Sequence, residues 1–106
     1  MDALIALCTC PDAAVADRIA RVLVEERLAA CVNRLPGVQS TYRWNGAVSV
    51  AEEVLLVIKT SLARYAALEE RIVALHPYEV PEVVAFAIGA GHSPYLAWIG
   101  KETRPE

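Results

Sequence analysis

The stretch VQSTYRWNGAVSVAEEVLLVIKT, residues 38–60, decides the fold of this chain. Side chains alternate along its first seven residues, as in a strand, with Val38, Ser40, Tyr42 and Trp44 on one face. Asn45-Gly46 follows directly, and because both central residues of a type I′ turn need positive φ, this dipeptide predicts a tight hairpin. The return strand is expected to run over residues 47–60.

The predicted return strand is too long for a domain of this size. At about 3.3 Å per residue its length is roughly 45 Å, whereas a compact chain of 106 residues has a diameter of about 33 Å. We therefore expect the tip of the hairpin, with Tyr42 and Trp44, to project and to pair with or pack on a neighbouring copy.

Strand and helix patterns precede the hairpin. Residues 3–10 form an apolar run typical of a buried strand, and residues 16–28 carry apolar side chains at helical spacing after a capping Asp12. Residues 31–35 predict a short strand that the turn dipeptide Pro36-Gly37 stops.

A helix, a strand and a short last helix are predicted after the hairpin. Thr60 or Ser61 is expected to cap a second helix that ends at His76-Pro77. Residues 82–88 predict a buried strand, and Ser93-Pro94 begins a short last helix before a charged tail that we expect to be loose.

This order of strands and helices predicts one α+β domain over residues 1–106, a ferredoxin-like split β-α-β sandwich with one sheet face free of helices. A partner chain is the simplest cover for that face.

Composition and charge exclude several classes of protein. With 56% hydrophobic and 22% charged residues, the chain is typical of a folded domain rather than a disordered one. Its net charge of −3 is spread along the sequence, which disfavours nucleic acid as a partner. No apolar run reaches the ~18–20 residues that span a bilayer, and three cysteines, an odd number, suggest free thiols in a reducing compartment. We therefore expect a soluble, cytoplasmic protein without a membrane partner.

Two of the cysteines, Cys8 and Cys10, lie two residues apart on a predicted strand, so both thiols share one face. Soft ligands of this kind suit copper, especially reduced copper. Cysteines are also often buried as simple core residues, and the pattern leaves both interpretations open.

The other candidate site lies in the segment HPYEVPE, residues 76–82. Its imidazole and carboxylates could bind a metal, move a proton or form a polar helix end. A thiol nucleophile made from Cys8, His76 and Glu82 is a further alternative. However, the sequence contains no nucleophile elbow, Walker loop or dinucleotide fingerprint, and we do not expect an enzyme. On the hairpin, Lys59 and Arg43 could attract an anion at a cleft between subunits.

The sequence resembles the CutA family of divalent-cation tolerance proteins from end to end. The blocks that carry the resemblance are Cys8-Thr9-x-Pro11-Asp12, Leu23-Val24-Glu25-Glu26-Arg27-Leu28-Ala29-Ala30-Cys31-Val32-Asn33, Pro36-Gly37-Val38-x-Ser40-x-Tyr42-x-Trp44-x-Gly46, Glu53, Lys59-Thr60, His76-Pro77-Tyr78-Glu79-Val80-Pro81-Glu82 and Tyr95-Leu96-x-Trp98. So many blocks in the same order make the resemblance highly specific.

The resemblance implies a ferredoxin-like subunit in a tight homotrimer, similar in assembly to the PII signalling proteins. It also implies a role in metal-ion tolerance and binding of copper (Cu²⁺) or another divalent cation by Cys8 and His76, with Glu82 as our inferred oxygen ligand or neighbour. Some members carry two consecutive histidines where this chain has Leu75 and His76. The alternative function is a PII-like signalling or scaffold module, which holds a small anionic ligand or a protein partner in clefts between subunits. The residues expected near those clefts are Tyr42, Trp44, Lys59 and Trp98.

Overall fold

The computed structural model describes residues 2–105, which form a four-stranded sheet and three helices. The elements are β1 (Ala3–Cys10), α1 (Ala13–Glu25), β2 (Cys31–Trp44), β3 (Ala47–Ser61), α2 (Leu62–Leu75), β4 (Val84–Ala87) and α3 (Ser93–Glu102). The sheet order is β2-β3-β1-β4, and every neighbouring pair is antiparallel. This is the ferredoxin-like α+β architecture that the sequence predicts.

Helices α1 and α2 cover one face of the sheet. The side chain of Asp12 accepts a hydrogen bond from the Val15 backbone N–H at 2.9 Å, so Asp12 caps α1 as predicted. The main core is made by inward-facing strand residues and the apolar stripes of the two helices, and its fully buried members include Ala6, Cys8, Cys10, Ile19, Leu23, Leu56, Ile58, Leu68 and Ile72. Burial of these side chains is the main driving force for packing the layers together.

The hairpin has the predicted turn and the predicted length. Trp44 pairs with Ala47, and the two residues between them have positive φ, 52° at Asn45 and 78° at Gly46. The molecule measures 44 × 27 × 21 Å along its principal axes. Strand β1 pairs only with the second half of β3, from Val54 onward, so the first half of β3 pairs with β2 alone and projects.

The prediction that Pro36-Gly37 stops a short strand was wrong. Strand β2 is continuous, and a bulge between Leu35 and Val38 accommodates one extra residue. Gly37 has a φ of +78°, and proline is tolerated at a bulge because no ladder hydrogen bond is required of it there. Beyond the bulge, Val38 lies opposite Glu53, so the even-numbered residues of β2 share the face of the odd-numbered residues of β3.

The start of α2 and the length of β4 differ from the prediction. Ser61 is the N-cap of α2, but its side chain does not cap the helix, and the hydroxyl of Thr60 donates instead to the Leu28 carbonyl. Strand β4 contains only residues 84–87, which pair with Leu4 to Leu7 of β1.

The C-terminal region is more ordered than predicted. Helix α3 begins after the N-cap His92 and continues to Glu102, and Thr103 beyond it is 1% exposed. The guanidinium of Arg27 donates to the carbonyls of Lys101 and Arg104 at 2.8 and 2.7 Å. These contacts fix the tail that we expected to be loose.

None of the helices in residues 2–105 combines the length and the hydropathy that a membrane-spanning helix requires.

We predict that Gly46→Ala destabilises the protein by about 1 to 2 kcal/mol, because alanine at positive φ brings its Cβ too close to the following carbonyl. The matched control is Gly89→Ala, where φ is outside the left-handed region and a Cβ would meet nothing within 4 Å. Chemical denaturation of both variants measures the difference. Equal free energies of unfolding would show that the turn does not require glycine.

Candidate metal centre and the adjoining cavity

Three side chains of types that can bind a metal converge where β1 ends. Cys8 and Cys10 lie on the helix-facing side of β1, and His76 is the residue that ends α2. The two sulfur atoms and a ring nitrogen of His76 all lie within 4.8 Å of one another. All three residues are buried, with exposed fractions of 0% for each cysteine and 7% for His76. The fold therefore brings Cys8, Cys10 and His76 together.

Both ring nitrogens of His76 already have hydrogen-bond partners. Nε2 lies 2.8 Å from the carbonyl oxygen of Thr9, to which it can only donate, and Nδ1 accepts from the backbone N–H of Tyr78 at 3.1 Å. These bonds assign the neutral tautomer with its proton on Nε2. His76 thus ends α2 through its backbone, while its imidazole bonds to β1 and to the backbone of Tyr78 rather than to the last carbonyls of the helix. A metal at Nδ1 would replace the bond from Tyr78.

The two thiols influence each other's ionisation. The hydrogen bond to Cys10, together with burial, raises the pKa of Cys8, and the charges of Glu82 and Glu53 add to this effect. The same hydrogen bond lowers the pKa of Cys10 below its ordinary value, although burial opposes the shift. Cys10 is therefore the first of the pair to become a thiolate, which is the form that binds metals.

Glu82 does not belong to the converging group. Its carboxylate is close enough to act on Cys8 through its charge, but the ligand atoms that meet are those of Cys8, Cys10 and His76. Glu82 is exposed and lines an adjoining cavity of about 630 Å³. The structure thus places Cys10, rather than Glu82, beside the other two predicted ligands.

The cavity lies between the projecting hairpin and the segment 78–82. The residues that define its character are three aromatic and three acidic ones: Tyr42, Trp44, Tyr78, Glu53, Glu79 and Glu82. Among the described residues that line it there is no lysine or arginine. Its charges therefore favour a cation over the anionic ligand that the sequence suggested.

Glu53 lines this cavity and is only 7% exposed. The hydroxyl of Tyr78 donates to its Oε2 at 2.7 Å. Partial burial and this hydrogen bond to a carboxylate raise the pKa of Tyr78 well above its usual range. Tyr78 also packs against His76, with ring centroids 4.6 Å apart, so it contacts both the cavity and the cluster.

The four residues expected near a ligand cleft do not lie together within one chain. Tyr42 and Trp44 line the cavity, whereas the ammonium of Lys59 bonds to the side chain of Asn33 on the sheet. Trp98 stacks on Tyr95 of α3, with ring centroids 5.6 Å apart. A single chain therefore does not bring Lys59 or Trp98 to Tyr42 and Trp44.

Fold and site together define a ferredoxin-like protein with a buried thiol and imidazole donor set. The family model described as CutA1 divalent ion tolerance protein matches residues 4–102. The chain is 50% identical over 99 residues to the divalent-cation tolerance protein CutA of Thermus thermophilus, an alignment that covers 93% of this chain and 96% of that protein. The chain belongs to the CutA1 divalent ion tolerance family.

Other relatives agree with this assignment. The crystal structure of CutA from Xylella fastidiosa has a TM-score of 0.96 and 46% identity, and the match covers 98% of this chain and 100% of that one. Protein CutA of Mus musculus is 47% identical over 98 residues, which cover 92% of this chain but 55% of the mouse protein. The chain thus spans about half the length of that relative.

We predict that Tyr78→Phe destabilises the protein by about 1 to 3 kcal/mol, because it removes the hydrogen bond to a nearly buried carboxylate. Tyr65→Phe is the matched control, since its hydroxyl donates to the exposed Glu69 and its loss should change stability by no more than about 0.5 kcal/mol.

The destabilisation caused by Tyr78→Phe should also depend on pH. The folded state raises the pKa of Tyr78, so the stabilisation by its neutral phenol is complete below the unfolded value of about 10 and declines as the pH rises further. Urea denaturation at neutral and alkaline pH tests this. Equal destabilisation by the two substitutions at neutral pH would contradict the assigned role of Tyr78.

Proposed function

We propose that this protein binds copper in its reduced form, and that this binding is how it contributes to metal-ion tolerance. The observation that carries the proposal is the convergence of Cys8, Cys10 and His76 within 4.8 Å in a buried site. Two thiolates and an imidazole are soft or intermediate ligands, and such a set suits Cu(I) better than Cu(II), which prefers nitrogen and oxygen in a tetragonal arrangement.

The donor set suits Cu(I), but binding of the ion requires the loss of protons and hydrogen bonds that the site has without it. Binding displaces the thiol protons and at least one hydrogen bond of His76. A metal at Nδ1 would replace the bond from Tyr78, whereas a metal at Nε2 would move the ring proton to Nδ1 and give up both bonds. Leu75 stands beside His76 in the sequence and adds no second imidazole. Both features favour weak or moderate affinity, which agrees with a role in buffering an excess of metal.

We propose a binding protein rather than an enzyme. Cys8 is fully buried and its pKa is raised, and both properties oppose a role as a nucleophilic thiolate.

We also propose that the protein works in the cytoplasm, because its three cysteines are all free thiols. The names of relatives differ in compartment, since the rice relative is called chloroplastic. Cell fractionation tests this location.

The proposed assembly is a homotrimer built through the hairpins. The projecting half of the hairpin exposes apolar side chains on both of its faces: Tyr42 and Trp44 on one, Val48 and Val50 on the other. The helix-free sheet face adds Val84 and Phe86, each 51% exposed. Exposed apolar surface of this extent is typical of an interface.

We predict that Cys8→Ser and Cys10→Ser each weaken Cu(I) binding by at least about a hundredfold, because even the outer partners of metal ligands are worth 10- to 100-fold. Competition with a chromophoric Cu(I) chelator under anaerobic conditions measures the affinity. Cys31→Ser is the matched control, since Cys31 is a free thiol outside the converging group.

Two further variants separate the other candidate ligands. His76→Gln keeps a donor for Thr9 but loses the imidazole, so it should weaken binding. Glu82→Gln should have a much smaller effect than either cysteine variant, because its carboxylate lies outside the group. Wild-type affinity in both cysteine variants would exclude the site.

We predict that the wild-type chain sediments as a species three times its mass of 11.5 kDa. Two lysine substitutions together, Val48→Lys and Val50→Lys, should dissociate it, because they place charge on the exposed apolar face of the hairpin. Glu52→Lys, an exposed position further along the same strand, should leave the assembly intact. A wild-type protein that sediments as a single folded chain at micromolar concentration would contradict the proposed trimer.

A further inference from the structure

The two thiols of the proposed metal site are closed off from solvent. Cys8 and Cys10 are both 0% exposed, whereas His76 beside them is 7% exposed. A metal site needs a path by which the ion enters. Because protein interiors are close-packed, some part of the wall around the two sulfur atoms has to move before an ion can reach them.

Most of this wall consists of regular structure that is costly to move. Strand β1 pairs with β3 over its whole length and with β4 over part of it. Helices α1 and α2 close the same side with fully buried side chains, namely Ile19, Leu23, Leu68 and Ile72. Displacing one of these elements would expose the core, and the free energy required grows with the apolar area that is uncovered.

The rest of the wall is the connector after α2, residues 76–83. His76 at its start has a ring nitrogen within 4.8 Å of both sulfur atoms. Near its end, the charge of Glu82 acts on Cys8, and Val83 packs against the core that contains both cysteines. The connector therefore passes over the two thiols.

Few bonds hold the connector in place. Within residues 2–105, no backbone–backbone hydrogen bond involves residues 77–83. Two side-chain bonds tie the connector to the sheet: the His76 ring bonds to the Thr9 carbonyl of β1 at 2.8 Å, and the Tyr78 hydroxyl donates to Glu53 of β3 at 2.7 Å. Segments with so few bonds open locally at a lower free energy than the core around them.

We infer that the connector is the gate of the metal site, and that the bond between Tyr78 and Glu53 holds this gate closed. The inference rests on the proposed function, since it concerns how an ion reaches Cys8 and Cys10. Both residues of the bond belong to one chain, so the bond does not require a second copy. The Tyr78 hydroxyl is not among the ligand atoms, so its removal changes the rate of metal exchange and leaves the affinity nearly unchanged.

Alkylation of the thiols by N-ethylmaleimide tests the gate without a metal. In a Cys31→Ser background the reagent reports on Cys8 and Cys10 alone, and mass spectrometry follows the reaction. Tyr78→Phe should raise the alkylation rate by about tenfold or more, because a hydrogen bond to a carboxylate is worth about that factor in an opening equilibrium. The rate follows the open population as long as closing is faster than the reaction with the reagent.

Controls separate local opening from unfolding of the whole chain. Urea below the unfolding transition should hardly change the alkylation rate, since opening of the gate exposes little surface, whereas global unfolding would make the rate rise steeply. Ile99→Val lowers global stability in the second apolar cluster, with Ala3 and Ala30, and should leave the rate unchanged. Tyr65→Phe loses a hydroxyl that bonds to exposed Glu69 and should also have no effect.

Transfer of Cu(I) to a chromophoric chelator in a stopped-flow instrument tests the gate with the metal. Release should be about tenfold faster from Tyr78→Phe than from the wild type at nearly equal affinity. The gate alone is wrong if Cu(I) binds but Tyr78→Phe accelerates neither alkylation nor release, or if Ile99→Val accelerates alkylation equally. If the wild type binds no Cu(I), the proposed function is wrong, and with it the role of the connector in metal entry.

Discussion

The structure depends on a mismatch of length between two paired strands. Strand β3 has 15 residues, and β1 pairs only with its second half, from Val54 to Ser61. Behind the paired half, α1 and α2 bury Leu56 and Ile58 completely. The other half has no helix behind it, so its apolar side chains, such as Val50 at 66% exposure, stay at the surface. One part of the strand thus builds the core while the other supplies a surface that another chain can cover.

The candidate sites lie at the boundary between these two halves. Cys10 and Val54 form the last pair between β1 and β3, and Glu53 is the next residue along β3. On the other side of β1, the pairing with β4 stops at Leu7 and Val84, so β4 does not reach Thr9. The connector after α2 fills this gap, because the imidazole of His76 bonds to the Thr9 carbonyl. Chemically active side chains therefore collect where the regular pairing of the sheet stops.

The fold was predictable from the sequence because its determinants are local. Asn45-Gly46 specifies the turn, and period-2 or period-3.6 patterns specify most of the other elements. The errors came from tertiary contacts: a bulge at Gly37 carries β2 past a turn signal, and Arg27, distant in sequence, holds the C-terminal tail. The sequence likewise indicated that Cys8 and Cys10 share a face, because that depends on strand periodicity alone. It did not indicate that Glu53 is nearly buried, because that depends on a contact with Tyr78, which is distant in sequence.

Tyr78 links the group formed by Cys8, Cys10 and His76 to the cavity. Its backbone N–H fixes the tautomer of His76, and its hydroxyl bonds to Glu53 in the cavity. Because the two groups belong to one residue held between Pro77 and Pro81, a change of position on one side moves the other. If a metal takes the lone pair of Nδ1, the Tyr78 N–H loses its acceptor, and the wall of the cavity loses one of its two anchors. By thermodynamic reciprocity, a ligand that holds Tyr78 against Glu53 then opposes metal binding at Nδ1 by the same free energy. Coordination through Nε2 would cost both contacts, because the ring proton would move to Nδ1, which could then no longer accept from the Tyr78 N–H.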